Sequence, residues 1–321
     1  MMRKPLVVAA VLTLTALGSL FVGAVDISLH DLFDAHSLGH RVWFELRLPR
    51  FLLALGTGAL LALSGWLFQT LFRNALMTPY TLGISGGAVL GTGIATVAGL
   101  GTLAAVWMPL SGFAGALASV ALLLMLARRL RHRGSMALLL LGIALSFFFS
   151  AALMALFAVA SQMQSYTILR YTMGSLAVSG YTAPVAVLAA AIGLSTVLWR
   201  CRGELLLMGI GEETAAARGV DPVRLSRFLL AAASLAIGIQ VAMTGPIGFV
   251  GLVVPHIVRM LYRRANDRLI VPVALFGALF LAACDTLSRA LSQTGDIPIG
   301  IVTAFVGGPF FIYLILRGER T

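Results

Sequence analysis

Lysine is almost missing from this chain: the one copy is Lys4, near the N-terminus. A P-loop needs a lysine directly after its glycine-rich turn to reach the β- and γ-phosphates, so this chain cannot bind ATP in that way. Acids are scarce as well. Asp285 is the single carboxylate clearly inside an apolar run, whereas proton- or sodium-coupled carriers usually place acids or other polar groups near mid-membrane depth. The plain reading of Asp285 is a structural ion pair with Arg289, four residues on. Of two cysteines, Cys201 sits at the edge of an apolar run and Cys284 inside one, so no disulfide and no redox chemistry are expected. His30, His36 and His40 are close in sequence but lack a paired carboxylate or cysteine pattern, so no metal site is assigned. A membrane-embedded enzyme would need a clustered nucleophile, a metal set or a carboxylate pair, and none is visible.

What is abundant is apolar surface. Hydrophobic residues make up 60% of 321 residues, charged residues 11%, and mean hydropathy is +0.99. A soluble domain of this length could not hide that inside one core, so the chain reads as an all-α, polytopic membrane protein in the lipid bilayer. The net charge of +11 reflects membrane topology; no aromatic-studded basic stripe points to nucleic acid. The N-terminal stretch has the basic start and small-residue finish of a secretory signal. Its apolar run from Pro5 to Val25 is nevertheless long enough to cross ~30 Å of hydrocarbon, so a retained first helix is expected.

Apolar runs set against charged or Pro/Gly breaks give ten candidate spans, near residues 6–25, 51–71, 82–99, 106–127, 137–160, 183–199, 226–244, 247–262, 270–289 and 298–316. Glycine and proline interrupt the third and the eighth, which are the candidates for short or re-entrant segments. With the N-terminus inside, basic residues gather in the cytoplasmic gaps: Arg3 and Lys4, Arg73, Arg128–Arg133, Arg200–Arg227, Arg259–Arg268 and Arg317–Arg320. Arg41, Arg47, Arg50, Arg170 and Arg289 remain outside. That bias follows the positive-inside rule and places both termini in the cytoplasm. Small residues recur at four-residue spacing in Ala54, Gly58, Ala62; Gly83, Gly87, Gly91; Gly112, Ala116; and Gly300, Ala304, Gly308. Such rows let helices approach closely in lipid and are read as contacts within the monomer.

Gly203 to Arg227 is a charged insert between apolar spans, on the cytoplasmic side. Two short helices are expected, the first ended by Gly219 and the second started by Asp221 as N-cap and Pro222 in the first turn. The bland alternative is a solvated loop. A packed bundle with no nucleotide site, almost no ion-coupling acid and a shaped cytoplasmic knob points to a permease driven by a separate ATPase.

Several blocks carry a resemblance. RLPR at Arg47 to Arg50, the stretch from Gly58 to Ala88, GEETAAARGV at Gly211 to Val220, GPIGFVGLVVPHIVR at Gly245 to Arg259, and Asp285 to Arg317 resemble the permeases of ABC importers for iron siderophores, haem and vitamin B12. The resemblance covers most of the chain and implies one transmembrane permease domain over residues 1–321, with the fold of a vitamin B12 importer permease, a type II ABC importer, in the cytoplasmic (inner) membrane. It implies a second permease copy, two cytoplasmic ABC ATPase subunits that hold the ATP and Mg, and a periplasmic or surface substrate-binding protein. No cofactor and no catalytic residue are expected on this chain. The cargo implied is an iron chelate, a ferric siderophore or haem, with cobalamin as the alternative; an ion-coupled carrier working alone is the rival from another class.

The resemblance also assigns roles. Gly211, Glu212, Ala215, Ala216, Arg218 and Gly219 would couple to the ATPase, the small residues by close docking and the charged pair at the rim. Arg47, Arg50 and Arg289 would meet carboxylates of the binding protein; without the resemblance, Arg47 and Arg50 read as interfacial anchors. Asn74, Ala75 and Leu76 would form a cytoplasmic gate, where the family usually has Asn-Pro-Leu. Its usual Glu-Leu-Pro is here Asp296-Ile297-Pro298. Ser146, Phe147, Ser150 and Met154 on the fifth span would line the pathway. Met154, Met163, Met173 and Met243 would suit a planar apolar ligand such as haem, although methionine also fills ordinary packing gaps.

Overall fold

A computed structural model describes residues 10, 13, 14, 18, 20, 34, 36–100, 104–129, 134–262, 269–291 and 297–317. Most of the expected first span, the basic residues Arg3, Lys4, Arg131, Arg133, Arg263, Arg264, Arg268 and Arg320, His30, and Asp296 lie outside the described residues. The regular structure of the described residues is helical, with no strand among them.

The first long helix, α1 (Leu38–Leu71), starts well before residue 51, where the sequence was expected to begin its second span. The cause is Pro49. A proline has no N–H to donate one turn back, so inside a helix it strands a carbonyl and bends the axis. Here the preceding Val42–Arg47 stretch widens into a π-helical turn. Neighbouring chain takes up the carbonyls: Gly180 N–H donates to Glu45 O at 3.0 Å, and Tyr181 Oη–H donates to Phe44 O at 2.7 Å. The proline that read as a boundary therefore sits inside a continuous helix, behind a π-helical turn whose carbonyls are bonded from outside.

After α1 come α2 (Ile84–Val97), α3 (Ala104–Arg129), α4 (Gly134–Val159), α5 (Gln162–Thr172) and α6 (Thr182–Arg200). Two short helices follow, α7 (Arg202–Ile210) and α8 (Glu212–Ala217), then α9 (Pro222–Thr244), α10 (Val250–Tyr262), α11 (Ile270–Ala290) and α12 (Ile299–Arg317). Each expected span from the second to the tenth has its helix. Helix α5 was not anticipated, although its start is signalled by a capping box: Ser161 Oγ accepts from Gln164 N–H, and Gln164 Oε1 accepts from Ser161 N–H.

The third and eighth spans are the short ones. Helix α2 has 14 residues and α10 has 13, against the roughly 20 needed to cross a bilayer. Residues 74–83 and 245–249 complete those two paths without regular α-helix. Irregular backbone at membrane depth persists where it is buried in protein or lines a cavity.

Helix α1 is the centre of the bundle: its best apolar window is 78% buried, against 22% for α4. Glycine makes that possible. A Cβ on Gly58 would run into the Gly277 carbonyl of α11, and one on Gly65 into the Gly251 carbonyl of α10. On α2, a Cβ on Gly87 would meet the Gly115 carbonyl of α3, and one on Gly91 the Ser111 carbonyl. These rows are internal contacts, as expected, with Gly308 as the exception: no heavy atom lies within 4 Å of its added Cβ. Gly65→Val should therefore destabilise the protein purified in detergent by about 1–3 kcal/mol, the cost of an overpacked contact, seen as a lower thermal midpoint. Gly308→Ala should leave the midpoint in place, and equal midpoints for the two variants would contradict this packing.

Candidate functional site: a cavity between two charged ends

One end of the bundle carries α7 and α8. The hinge between them is Gly211, in extended conformation, so the expected division at Gly219 is corrected. Gly219 does take a left-handed φ of +83° after α8, but Asp221 and Pro222 open the long span α9 and not a second short helix. Asp221 Oδ1 accepts from Val223 N–H at 3.0 Å and from Arg224 N–H at 3.1 Å. The stronger cap signal concealed the weaker hinge.

Leu205, Met208 and Ala215 are buried and pin this knob to the core. Glu212, Ala216, Arg218 and Gly219 are exposed on it, whereas Ala215, named with them from sequence, faces inward, and Gly211 is half-buried beside Arg73. Nearby, Gln69 Nε2 donates to Gly251 O at 3.0 Å, and Arg259 donates to Gln69 Oε1. The end of α1 is thereby tied to α10. Burial and the carboxylate of Glu204 push the Cys201 thiol up, which favours its protonated form.

The opposite end holds Arg47, Arg50 and Arg289, and the structure turns all three inward. Arg50 donates from Nε and Nη2 to Asp285 Oδ1 at 3.0 and 2.8 Å, and Nε also reaches Oδ2 at 3.1 Å. Arg289 Nε lies 3.2 Å from Asp285 Oδ2, the pairing read from sequence. Asp285 is 2% exposed between these guanidinium groups. Arg47 Nη1 donates to Leu20 O at 3.0 Å. The Arg50 partner lies 235 residues away, and no local pattern reports such a pair.

Between the ends lies a cavity of about 620 Å³. Its walls are the non-helical stretches around Thr78–Thr81 and Pro246–Phe249, with Leu252 of α10 and Ile301, Ala304 and Phe305 of α12. Gln240, Ser85 and Thr78 supply the sparse polar lining. Phe249 holds a left-handed φ of +67°, a conformation costing on the order of 1–3 kcal/mol for a bulky residue, and its ring packs on Gly307.

Of the gate candidates, Leu76 lines this cavity. Asn74 Oδ1 accepts from Leu76 N–H at 2.9 Å, which holds the turn without the family's proline. Ala75 is exposed beside it. The α4 candidates do not line this cavity within the chain: Phe147 and Met154 are 72% and 71% exposed on its outer face, and Ser150 shares that face. Ser146 Oγ–H donates back to Gly142 O. Met173 lines the cavity, while Met163 and Met243 line a separate hollow near the α5 end. Among the described residues no cluster of His, Cys, Asp or Glu could hold a metal ion.

Asp285→Asn should leave two buried guanidinium groups without a countercharge and cost about 3–5 kcal/mol. Adding Arg50→Gln should return part of that loss, read as a non-additive double-mutant cycle of thermal unfolding. Strict additivity would show that the two residues are not coupled.

The chain as a whole is similar to known proteins. The chain is 37% identical over 315 residues to the hemin transport system permease protein HmuU of Yersinia pestis, covering 95% of this chain and 93% of that protein. It is 34% identical over 309 residues to the vitamin B12 import system permease protein BtuC of Salmonella paratyphi A, covering 96% and 93%. A solved inward-facing conformation of a metal-chelate type ABC transporter superposes with a TM-score of 0.86 at 30% identity, covering 99% of this chain and 100% of that one. The profile of the FecCD transport family matches residues 11–317, and the chain belongs to that family.

Proposed function

We propose that this chain is the permease subunit of an ABC importer that carries an iron chelate, a ferric siderophore or haem, across the cytoplasmic membrane. Cobalamin is the second reading, supported by the likeness to a vitamin B12 permease. Fuel comes from outside the chain: ATP and Mg sit on two cytoplasmic ATPase subunits. A second permease copy completes the pathway, and the exposed apolar face of α4, with Phe147 and Met154, suits either that copy or lipid. Both termini face the cytoplasm, as the positive-inside bias favours.

The observation that carries this reading is the knob of α7 and α8: a polar segment with a charged rim, pinned by Leu205, Met208 and Ala215 to an otherwise apolar bundle. A movement applied there is passed to the core because its buried side leaves no slack. On this reading Glu212, Ala216, Arg218 and Gly219 meet the ATPase, while Gly211 and Ala215 set the knob's shape. Gln69 and Arg259 hand the motion to α1 and α10, which border the cavity.

At the outer end, a loaded binding protein docks near Arg47, Arg50 and Arg289. Their engagement with Leu20 O and Asp285 makes this a preorganised patch in which acids of the partner compete with, or add to, Asp285. Alternating access follows: docking, ATP-driven closure of the ATPases, reorientation of the bundle, and release of the ligand past Leu76. No bond in the ligand changes on this chain.

Charge reversal tests the coupling face. Glu212→Arg and Arg218→Glu should each lower recovery of the ATPase with the purified permease, and ATP-dependent uptake, by about tenfold. Full assembly and full uptake in both variants would remove this assignment.

A further inference from the structure

A second hollow, of about 380 Å³, opens at the α5 end of the bundle. Met108, Met163, Tyr166, Arg170, Tyr171 and Met243 are among its walls. Arg170 is exposed there, stacked over the Tyr166 ring with its guanidinium carbon 6.0 Å from the centroid. No carboxylate of the described residues pairs with it, in contrast to Arg50 and Arg289. Arg170 also lines a smaller pocket of about 110 Å³ together with Arg50 and Pro298, so the hollow continues toward the buried arginine cluster.

A thin partition separates this hollow from the 620 Å³ cavity. Thr244 and Gly245 line the hollow while Pro246 lines the cavity, and Tyr171 lines the hollow while Thr172 and Met173 line the cavity. The two segments are stitched by Ser175 N–H donating to Thr244 O at 2.7 Å, and Tyr171 Oη–H donates to Val241 O at 2.7 Å. Gly174 and Gly245 both take a φ of +69°, and a side chain on Gly245 would run into the Tyr171 carbonyl. Whatever occupies the hollow is one backbone layer from the cavity.

We propose that this hollow is an entry subsite for a flat conjugated chelate bearing a carboxylate, and that Arg170 is the residue that selects for the carboxylate. The proposal rests on the permease reading and names the face on which its cargo first lands. Three thioethers and two phenol rings make an adaptable, polarizable surface for a planar apolar body. The guanidinium supplies a planar fork for a carboxylate at the body's edge, which an uncharged ligand would not repay. Arg170 is held over Tyr166 and already oriented, so little ordering is needed on binding.

The test uses the full-length permease in lipid nanodiscs, with iron protoporphyrin and its dimethyl ester as probes. Binding is followed by quenching of tryptophan fluorescence, Trp107 being the neighbour in sequence of Met108. The free acid should bind about tenfold tighter than the ester, the value of one charge-assisted contact. Arg170→Gln should abolish that preference, and Arg170→Lys should restore part of it. Arg170 is exposed, so neither change threatens folding. Equal binding of acid and ester, or an unchanged preference in Arg170→Gln, overturns the subsite. ATP-dependent uptake by the assembled importer is measured in parallel. Uptake that persists without the preference discards the subsite alone, whereas no ATP-dependent uptake of any chelate discards the permease reading.

Discussion

Helices in lipid gain little from hiding apolar side chains, since the solvent is as apolar as they are. Association depends on close van der Waals approach, and here that approach is set by backbone meeting backbone along α1. Gly58 lies against Gly277 and Gly65 against Gly251, with no room for a methyl group at either crossing. Helices α6, α9, α10 and α11 pack around this axis, and α2–α5 form a group of their own that joins it through α9. Helices α10 and α11 are fixed to it, and because α10 is too short to cross alone, the chain before it runs through the membrane region as irregular backbone. That backbone becomes a cavity wall.

The same helix joins the two charged ends. Near its start, Arg50 is clamped to Asp285 of α11; at its finish, Gln69 bridges Gly251 and Arg259 of α10. A long helix held at both ends by buried polar contacts and packed this closely is suited to serve as a rigid link between them. The proposed function needs such an element, because the arginines proposed for docking and the α7–α8 knob lie at opposite ends. Proline belongs to the same design. The helix widens in the turn before Pro49, which ends at Arg47, and there Gly180 and Tyr181 satisfy the Glu45 and Phe44 carbonyls.

Much of this was legible in the sequence, for physical reasons that differ by element. Long apolar runs announce spans because the bilayer imposes a length, and the glycine and proline breaks in the third and eighth spans marked the two short helices. The Asp285–Arg289 pair was visible because helix geometry brings residues four apart together. Arg50 was not visible as its second partner, since nothing local connects residues so distant. The early start of α1 was missed because Pro49 reads as a boundary, and the Gly211 hinge because the Asp221–Pro222 cap spoke more loudly. Side-chain facing was the least legible part: helix α4 offers no polar stripe to orient it, and the cavity within the single chain is walled by the backbone of 74–83 and 245–249 and by α12.

The proposed function is that of a conduit moved by a push from the cytoplasm, a reading supported by the engagement of Asp285, the buried carboxylate of the described spans, with two arginines. Reconstitution of the purified chain alone in liposomes, with an imposed proton or sodium gradient and an iron chelate outside, tests this most directly. No uphill uptake should occur until the ATPase and ATP are supplied. Sustained accumulation driven by the gradient alone would contradict it.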